Sequence, residues 1–140
     1  MGDGRTPSDS RCSQPAAFPY QWLDNVDTQH PSVLRYEAHF AMMLATQRAM
    51  LLGEVDELFE AAANGELEES ADDYAPLKPI VSDPEIWELR LDSLAEYRYY
   101  HGEPPRWPNL LVKLHRHVKD DAAAQQEEIE QAIRRYRPQE

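Results

Sequence analysis

Alternation and helical spacing divide the chain into predicted elements. Residues 1–31 show neither; they are rich in Pro, Ser, Asp and Gln, and Pro7, Pro15, Pro19 and Pro31 interrupt any regular segment, so they read as a disordered or loosely docked tail. Phe18, Tyr20, Trp22 and Leu23 give that tail an apolar patch able to dock. Residues 33–40 fit a short strand or a helix start. From Met42 to Ala63, Met43, Leu51, Val55, Leu58 and Phe59 recur at three-to-four spacing, which predicts helix. Gly53 is a candidate break between two helices, and Asn64-Gly65 a stop. Residues 66–76 read as a solvated acidic loop closed by Pro76.

From Leu77 the period shifts toward two. Ile86 to Leu91 alternates, with Ile86, Glu88 and Arg90 on one face and Trp87, Leu89 and Leu91 on the other. Glu96 to His101 is aromatic-rich and predicts strand. Residues 101–108 hold three prolines and read as a loop. Residues 109–118 predict a further strand. Asp120/Asp121 form a candidate N-cap for a helix over 122–136, ending before Pro138. The order (β)-α-α-β-β-β-α predicts an α+β domain over 32–140: a helical pair, a three- to four-stranded antiparallel sheet and a C-terminal helix.

Charge first argues against a nucleic-acid partner. The chain has 140 residues, with 26 acidic and 14 basic side chains and a net charge of −12. Division of the chain changes that picture: residues 1–83 hold 15 acids and 5 bases, whereas 84–140 hold 11 acids and 9 bases. The acidity lies mainly outside the strand region. The single cysteine, Cys12, permits no internal disulfide and no cysteine-based zinc cage. The longest apolar run, Ala41–Ala45, is too short for a membrane span, and the N-terminus lacks a signal-peptide pattern, so the expected location is the cytoplasm with no membrane partner. Gly2 and Thr6 match a loose myristoylation pattern, better read as a polar tail.

Four constellations and an aromatic set carry candidate chemistry. Strict alternation would put Lys113, His115, His117 and Lys119 on one face of the last strand, opposite Val112, Leu114, Arg116 and Val118. Imidazole exchanges protons near neutral pH, and lysine stabilises phosphoryl charge. Arg90 and Arg98 are candidate phosphate ligands; the alternative is a cross-strand ladder, Glu88/Arg98 or Arg90/Glu96. His115 and His117 form a possible metal pair completed by His101 or Glu88, but without a defined third ligand no metal site is assigned and no cofactor is expected. Tyr97, Tyr99, Tyr100 and Trp107 suit either base stacking or core packing. In the last helix, Glu127, Glu128 and Glu130 precede Arg134, Arg135 and Arg137, as the helix dipole favours, and the late arginines lie within reach of a substrate groove.

Trp87-Glu-Leu-Arg90, Tyr97-Arg98-Tyr99-Tyr100, Leu114-His115-x-x-Val118-Lys119 and Glu128-Ile129-Glu130-x-Ala132 together resemble the core of the phage-derived Gp49-like/HigB toxins of the RelE/ParE superfamily. The helix before Gly65 and Leu77-Lys-Pro79 follow the same pattern, and the resemblance spans about residues 40–136. It implies a metal-independent endoribonuclease acting on ribosome-bound mRNA and neutralised by a helix-turn-helix antitoxin. By position it implies that Arg90 and Arg98 bind phosphate, His115 acts as base or acid and Lys119 supplies transition-state charge. Tyr97, Tyr99, His117 and Lys113 would then contact RNA. Arg116-His117 stands where the family has Gly-Phe, and Asp120 where it has a second lysine. With the acidic balance, these departures frame the alternative: a non-catalytic interaction protein on the same fold, binding a basic protein partner.

Overall fold

The computed structural model describes residues 10–72, 75–119 and 125–139. It is an α+β structure with three α-helices and one five-stranded mixed sheet. Strand β1 (Gln21–Asp24) precedes helices α1 (Pro31–Ala41) and α2 (Ala45–Ala63). Strands β2 (Leu77–Ser82), β3 (Glu85–Asp92), β4 (Glu96–Gly102) and β5 (Leu110–Val118) form an antiparallel meander, followed by α3 (Gln125–Tyr136). The strand order is β1-β5-β4-β3-β2, and β1 runs parallel to β5. The sheet thus has one strand more than the sequence reading allowed, and it is mixed. Among the described residues, no helix is long and apolar enough to cross a membrane.

Two strands lie outside the three predicted at 86–91, 96–101 and 109–118: β2, and β1 from the segment read as tail. Residues 1–9, with the myristoylation pattern, lie outside the described residues, as do Asp120 and Asp121. Residues 10–30 are tied down by main-chain contacts that leave no mark in side-chain periodicity. The Leu67 amide donates to the Cys12 carbonyl at 2.9 Å, the Tyr20 amide to Ala63 at 2.8 Å, and the Asn25 amide to Lys113 at 2.9 Å. The Arg11 guanidinium reaches the carbonyls of Pro104 at 3.0 Å and Leu110 at 2.7 Å, capping the proline-rich loop. Of the four apolar residues in that patch, Trp22 packs against Phe59 at a centroid distance of 4.8 Å and Tyr20 is partly buried; Phe18 and Leu23 stay exposed.

Residues 33–40 are helical. His30 caps α1 by accepting from the Ser32 amide, and Pro31 occupies the first turn, where its missing N–H is no loss. The break between helices falls at residues 42–44, and Gly53 lies inside α2. Gly65 takes φ 70° after α2, the left-handed conformation expected at that stop. The acidic loop is not wholly solvated: buried Glu69 accepts from the Ser10 amide at 2.9 Å and forms a bridge with Leu77.

Alternation sorts the sheet into two packed faces. Trp87, Leu89, Tyr97, Tyr99 and Leu111 meet Tyr36, Phe40, Leu51, Leu58 and Ala62 of the helical pair. Ile86, Tyr100, Val112 and Leu114 meet Ala132 and Tyr136 of α3. The period breaks once in β5. Tyr100 pairs with His115 but His101 pairs with Lys113, so Leu114 is an extra residue in a β-bulge. Leu114 therefore joins the α3 face, and Lys113 turns to the helical-pair face.

Two glycines give opposite expectations. A Cβ on Gly102 would overlap the Tyr136 ring, whereas one on Gly53 would meet nothing within 4 Å. Gly102→Ala is expected to cost about 1–3 kcal/mol by displacing Tyr136. Gly53→Ala is expected to stabilise by about 0.5–1 kcal/mol through helix propensity. Urea denaturation of both variants checks the pair.

Candidate functional site

Three strands bring the principal sequence candidates onto the α3 face. Strand register sets Arg90 opposite Arg98 and Arg98 opposite His117; the next row runs Glu88, Tyr100, His115. Residues two apart on a strand share a face, so the two rows form one polar patch beneath α3. Lys119 follows the end of β5, where its backbone N–H donates to the Glu96 carbonyl at 2.8 Å.

The patch is bonded into two linked halves. Glu88, 0% exposed, accepts from Arg90 Nε at 2.7 Å, and Arg98 Nε lies 3.9 Å from the same oxygen. Arg98, 2% exposed, also reaches Asp92 at 2.7 Å and Glu96 at 3.3 Å. The ladder reading therefore holds for Glu88/Arg98 at long range, while Glu96 pairs with Arg98 rather than Arg90. In the other half, His115 Nε2 lies 2.9 Å from Glu128 Oε1, and Ser32 Oγ donates to Glu128 Oε2 at 2.9 Å. His117 Nε2 lies 3.1 Å from the Tyr100 hydroxyl. The Tyr100 and His117 rings lie within 7° of parallel and connect the two halves.

The electrostatics follow from this packing. Burial raises the Glu128 carboxyl, but hydrogen bonds from His115 and Ser32 and the neighbouring imidazoles outweigh it and bring it down to about 2. Burial pushes His117 below its ordinary value, with nearby His115 adding to the effect against the pull of Glu128. Burial likewise raises the Tyr100 hydroxyl, and Glu88 raises it further. A hydrogen bond to ionised Glu128 requires a proton on Nε2 of His115, which in a neutral ring leaves a lone pair on Nδ1. That Nδ1 is buried and has no hydrogen-bond partner among the described residues. The half-buried His30 ring stands edge-on to His115 at 4.9 Å.

Three of the expected RNA contacts lie elsewhere. Tyr97 and Tyr99 alternate with Arg98 and Tyr100, so they point into the opposite core. There the Tyr97 hydroxyl lies 2.7 Å from His39 Nε2, and the Tyr99 hydroxyl 2.7 Å from that of Tyr36. Both rings are buried and present no stacking surface. The bulge at Leu114 sends Lys113 to that same side, with Nζ 4.7 Å from the Phe59 ring centroid. Lys113 and Arg116 there help line a cleft of about 440 Å³ under α1 and α2, with Arg48, Tyr36, Phe40 and Phe59. Two of the late helix cations bond elsewhere. Arg135 binds the Asn25 carbonyl at 2.7 Å, and Arg134 bonds Gln131 on its own helix.

His30, Ser32 and Glu128 were not expected around His115. Helix-dipole reasoning accounted for Glu128 as a surface charge, and nothing local distinguishes it from Glu127 or Glu130. The metal pairing of His115 and His117 gains neither suggested third ligand, since His101 lies on the opposite face and Glu88 holds arginines. Two other donor groups are close enough for an ion: His30 with His115 and Glu128, and Cys12 with His101 and Glu103. Comparison with protein-family models, curated proteins and solved structures gives no match for this chain.

Protonation should disassemble the His115–Glu128 half. A carboxylate held at about 2 when folded, against about 4.3 unfolded, contributes stability above pH 4.3 and loses it as pH falls through 2. His117, held down when folded, adds a loss that starts as pH falls below about 6.5. Glu128→Gln should therefore be less stable than the wild type at pH 7, with the gap closing by about pH 2. Thermal unfolding of both proteins across this range tests it; a gap that does not change with pH would rule the linkage out.

Proposed function

We propose that this chain is a RelE/HigB-like toxin-fold protein with metal-independent endoribonuclease activity toward mRNA on the ribosome, held in check by a helix-turn-helix antitoxin. The observation that carries the reading is the convergence of Arg90, Arg98, His115 and His117, from three separate sequence motifs, on one sheet face. The helical pair, meander and final helix accord with the resemblance in its coarse form.

The chemistry is attack of an RNA 2′-hydroxyl on the adjacent phosphate. It needs a base for the hydroxyl proton, cations for the developing phosphorane and an acid for the leaving 5′-oxygen. His115, oriented by Glu128, is the base in this reading, and since it is 1% exposed the patch must open for RNA to reach it. Arg98 and Arg90 bind the phosphate, and Lys119 adds charge at the end of the strand. The side chains of Asp92 and Glu96 are 57% and 53% exposed but that of Arg98 only 3%, so a phosphate would have to displace these acids to reach the guanidinium.

One observation favours a second reading. Arg90 and Arg98 are already matched by Glu88, Asp92 and Glu96, as suits a non-catalytic interaction protein whose arginines serve the fold. Its acidic surface would then take a basic protein partner, with salt-sensitive capture.

Induced expression, together with primer extension on mRNA in a translating extract, separates the two. The ribonuclease reading expects growth arrest, discrete mRNA cuts and a 10²–10⁴-fold loss of cleavage in His115→Gln, typical of removing a general base (about two to four decades). Arg98→Lys, with folding checked by circular dichroism, should also lose cleavage, because a point charge replaces the bidentate fork. Intact mRNA with and without ribosomes, from a folded wild-type protein, would reject catalysis.

A further inference from the structure

The geometry points to a second site, remote in chemistry from the α3 face: Cys12, His101 and Glu103 form a binding site for a borderline divalent metal such as zinc. Their donor atoms all lie within 4.8 Å of one another, and all three residues are buried. Cys12 comes from the segment before β1, His101 from the end of β4, and Glu103 is the residue directly after that strand. Sequence spacing conceals the group because 89 residues separate the thiol from the imidazole.

The distances suit coordination. Cys12 Sγ and His101 Nε2 lie 3.5 Å apart. Ligands at about 2.3 Å for sulfur and 2.0–2.1 Å for nitrogen, across a tetrahedral angle, stand ~3.5 Å apart. Glu103 Oε2 is 2.8 Å from His101 Nε2, a hydrogen-bond distance that opens by roughly half an ångström when both atoms turn to an ion. Sulfur, imidazole and carboxylate together select zinc-like ions over magnesium or calcium, which take oxygen ligands.

The surroundings hold the donors in place. Glu103 accepts from Ser10 Oγ at 2.6 Å and from the Arg11 amide at 2.7 Å, and Ser10 Oγ accepts from the Cys12 amide at 3.1 Å. The His101 ring lies nearly parallel to Trp87 at 5.9 Å and edge-on to Trp22 at 5.5 Å. Hydrogen bonds of this kind are what metal sites use to orient a carboxylate, whereas the His101 ring is held by packing, with Nδ1 lacking a hydrogen-bond partner among the described residues. Binding converts the Cys12 thiol to thiolate and releases its proton to solvent; the proton that the Glu103 hydrogen bond holds on His101 Nε2 shifts to Nδ1, which frees the Nε2 lone pair, and Glu103 keeps its charge. The bound ion would clip residues 10–13 to the end of β4, beside Trp22 of β1, and so fasten the segment that supplies the fifth strand.

The full chain, stripped with a chelator, is titrated with Zn(II) and separately with Co(II). The expected result is one equivalent bound, a raised thermal midpoint and a thiolate-to-cobalt charge-transfer band in the near ultraviolet. Cys12→Ser should abolish that band. Glu103→Gln keeps the shape of the carboxylate but only one of its two acceptor oxygens, so its folding is checked by circular dichroism. It should weaken zinc by ~100-fold, the upper end of what loss of even an outer contact costs. His30→Ala, in the other donor group, should leave zinc affinity unchanged. Absence of bound zinc in the folded wild type overturns the assignment. So does a cobalt spectrum without thiolate character, or zinc affinity that is indifferent to Glu103→Gln but lost in His30→Ala.

Discussion

Glu88 has no exposed surface, yet it sits in the middle of a strand and carries a carboxylate. A buried charge of this kind survives only with close counter-charges and hydrogen bonds, because removing one partner typically costs about 3–5 kcal/mol. Arg90, two residues along the same strand, supplies the nearest. Arg98, across the sheet, supplies the second and extends the network to Asp92 and Glu96 at the rim. The side chain of Gln125, at the start of α3, approaches the other Glu88 oxygen at 3.5 Å. This buried charge thus ties β3 to β4, meets the first described residue of α3, and marks where any phosphate would have to compete.

The rest of the α3 face follows from the same register. Tyr100 lies opposite both Glu88 and His115, and its hydroxyl reaches His117. Glu128, one helical turn after Gln125, then meets His115. Each half satisfies a buried carboxylate, the first with guanidinium and the second with imidazole and a serine hydroxyl. Both arginines pair with acids, but Arg98 Nε, like His115 Nδ1, has no hydrogen-bond partner among the described residues.

Most of the sheet was legible because its strands are two-faced. Ile86 to Leu91 alternates without error, and both Arg90 and Glu88 emerge on the expected side. Three features escaped. β2 contains Pro79 and shows no inside-outside alternation that would mark it as a strand of its own. β1 is a four-residue strand pairing with a segment nearly ninety residues away, and its own sequence carries no period that requires it. The bulge at Leu114 is a main-chain event between two apolar-compatible faces, so Lys113 could be placed by counting but not placed correctly. Tyr97 and Tyr99 show the converse. Their alternation with Arg98 was readable, but an exposed and a buried aromatic face look alike until the helix covering them is known.

The sequence by itself determined the α+β class, the helical pair ahead of a meander, the last helix, and the clustering of cations and histidines in residues 84–140. These are local properties, set by period, glycine and proline placement, and composition. Only the tertiary structure decided which of those groups share a surface, and which are already neutralised. Glu128 meets His115, Cys12 meets His101 and Glu103, and Lys113 leaves His115. The physical reason is that hydrogen bonds and ion pairs are made across space between distant parts of the chain. A side chain's charge is written in its sequence, but its partner is chosen by register, bulges and helix docking.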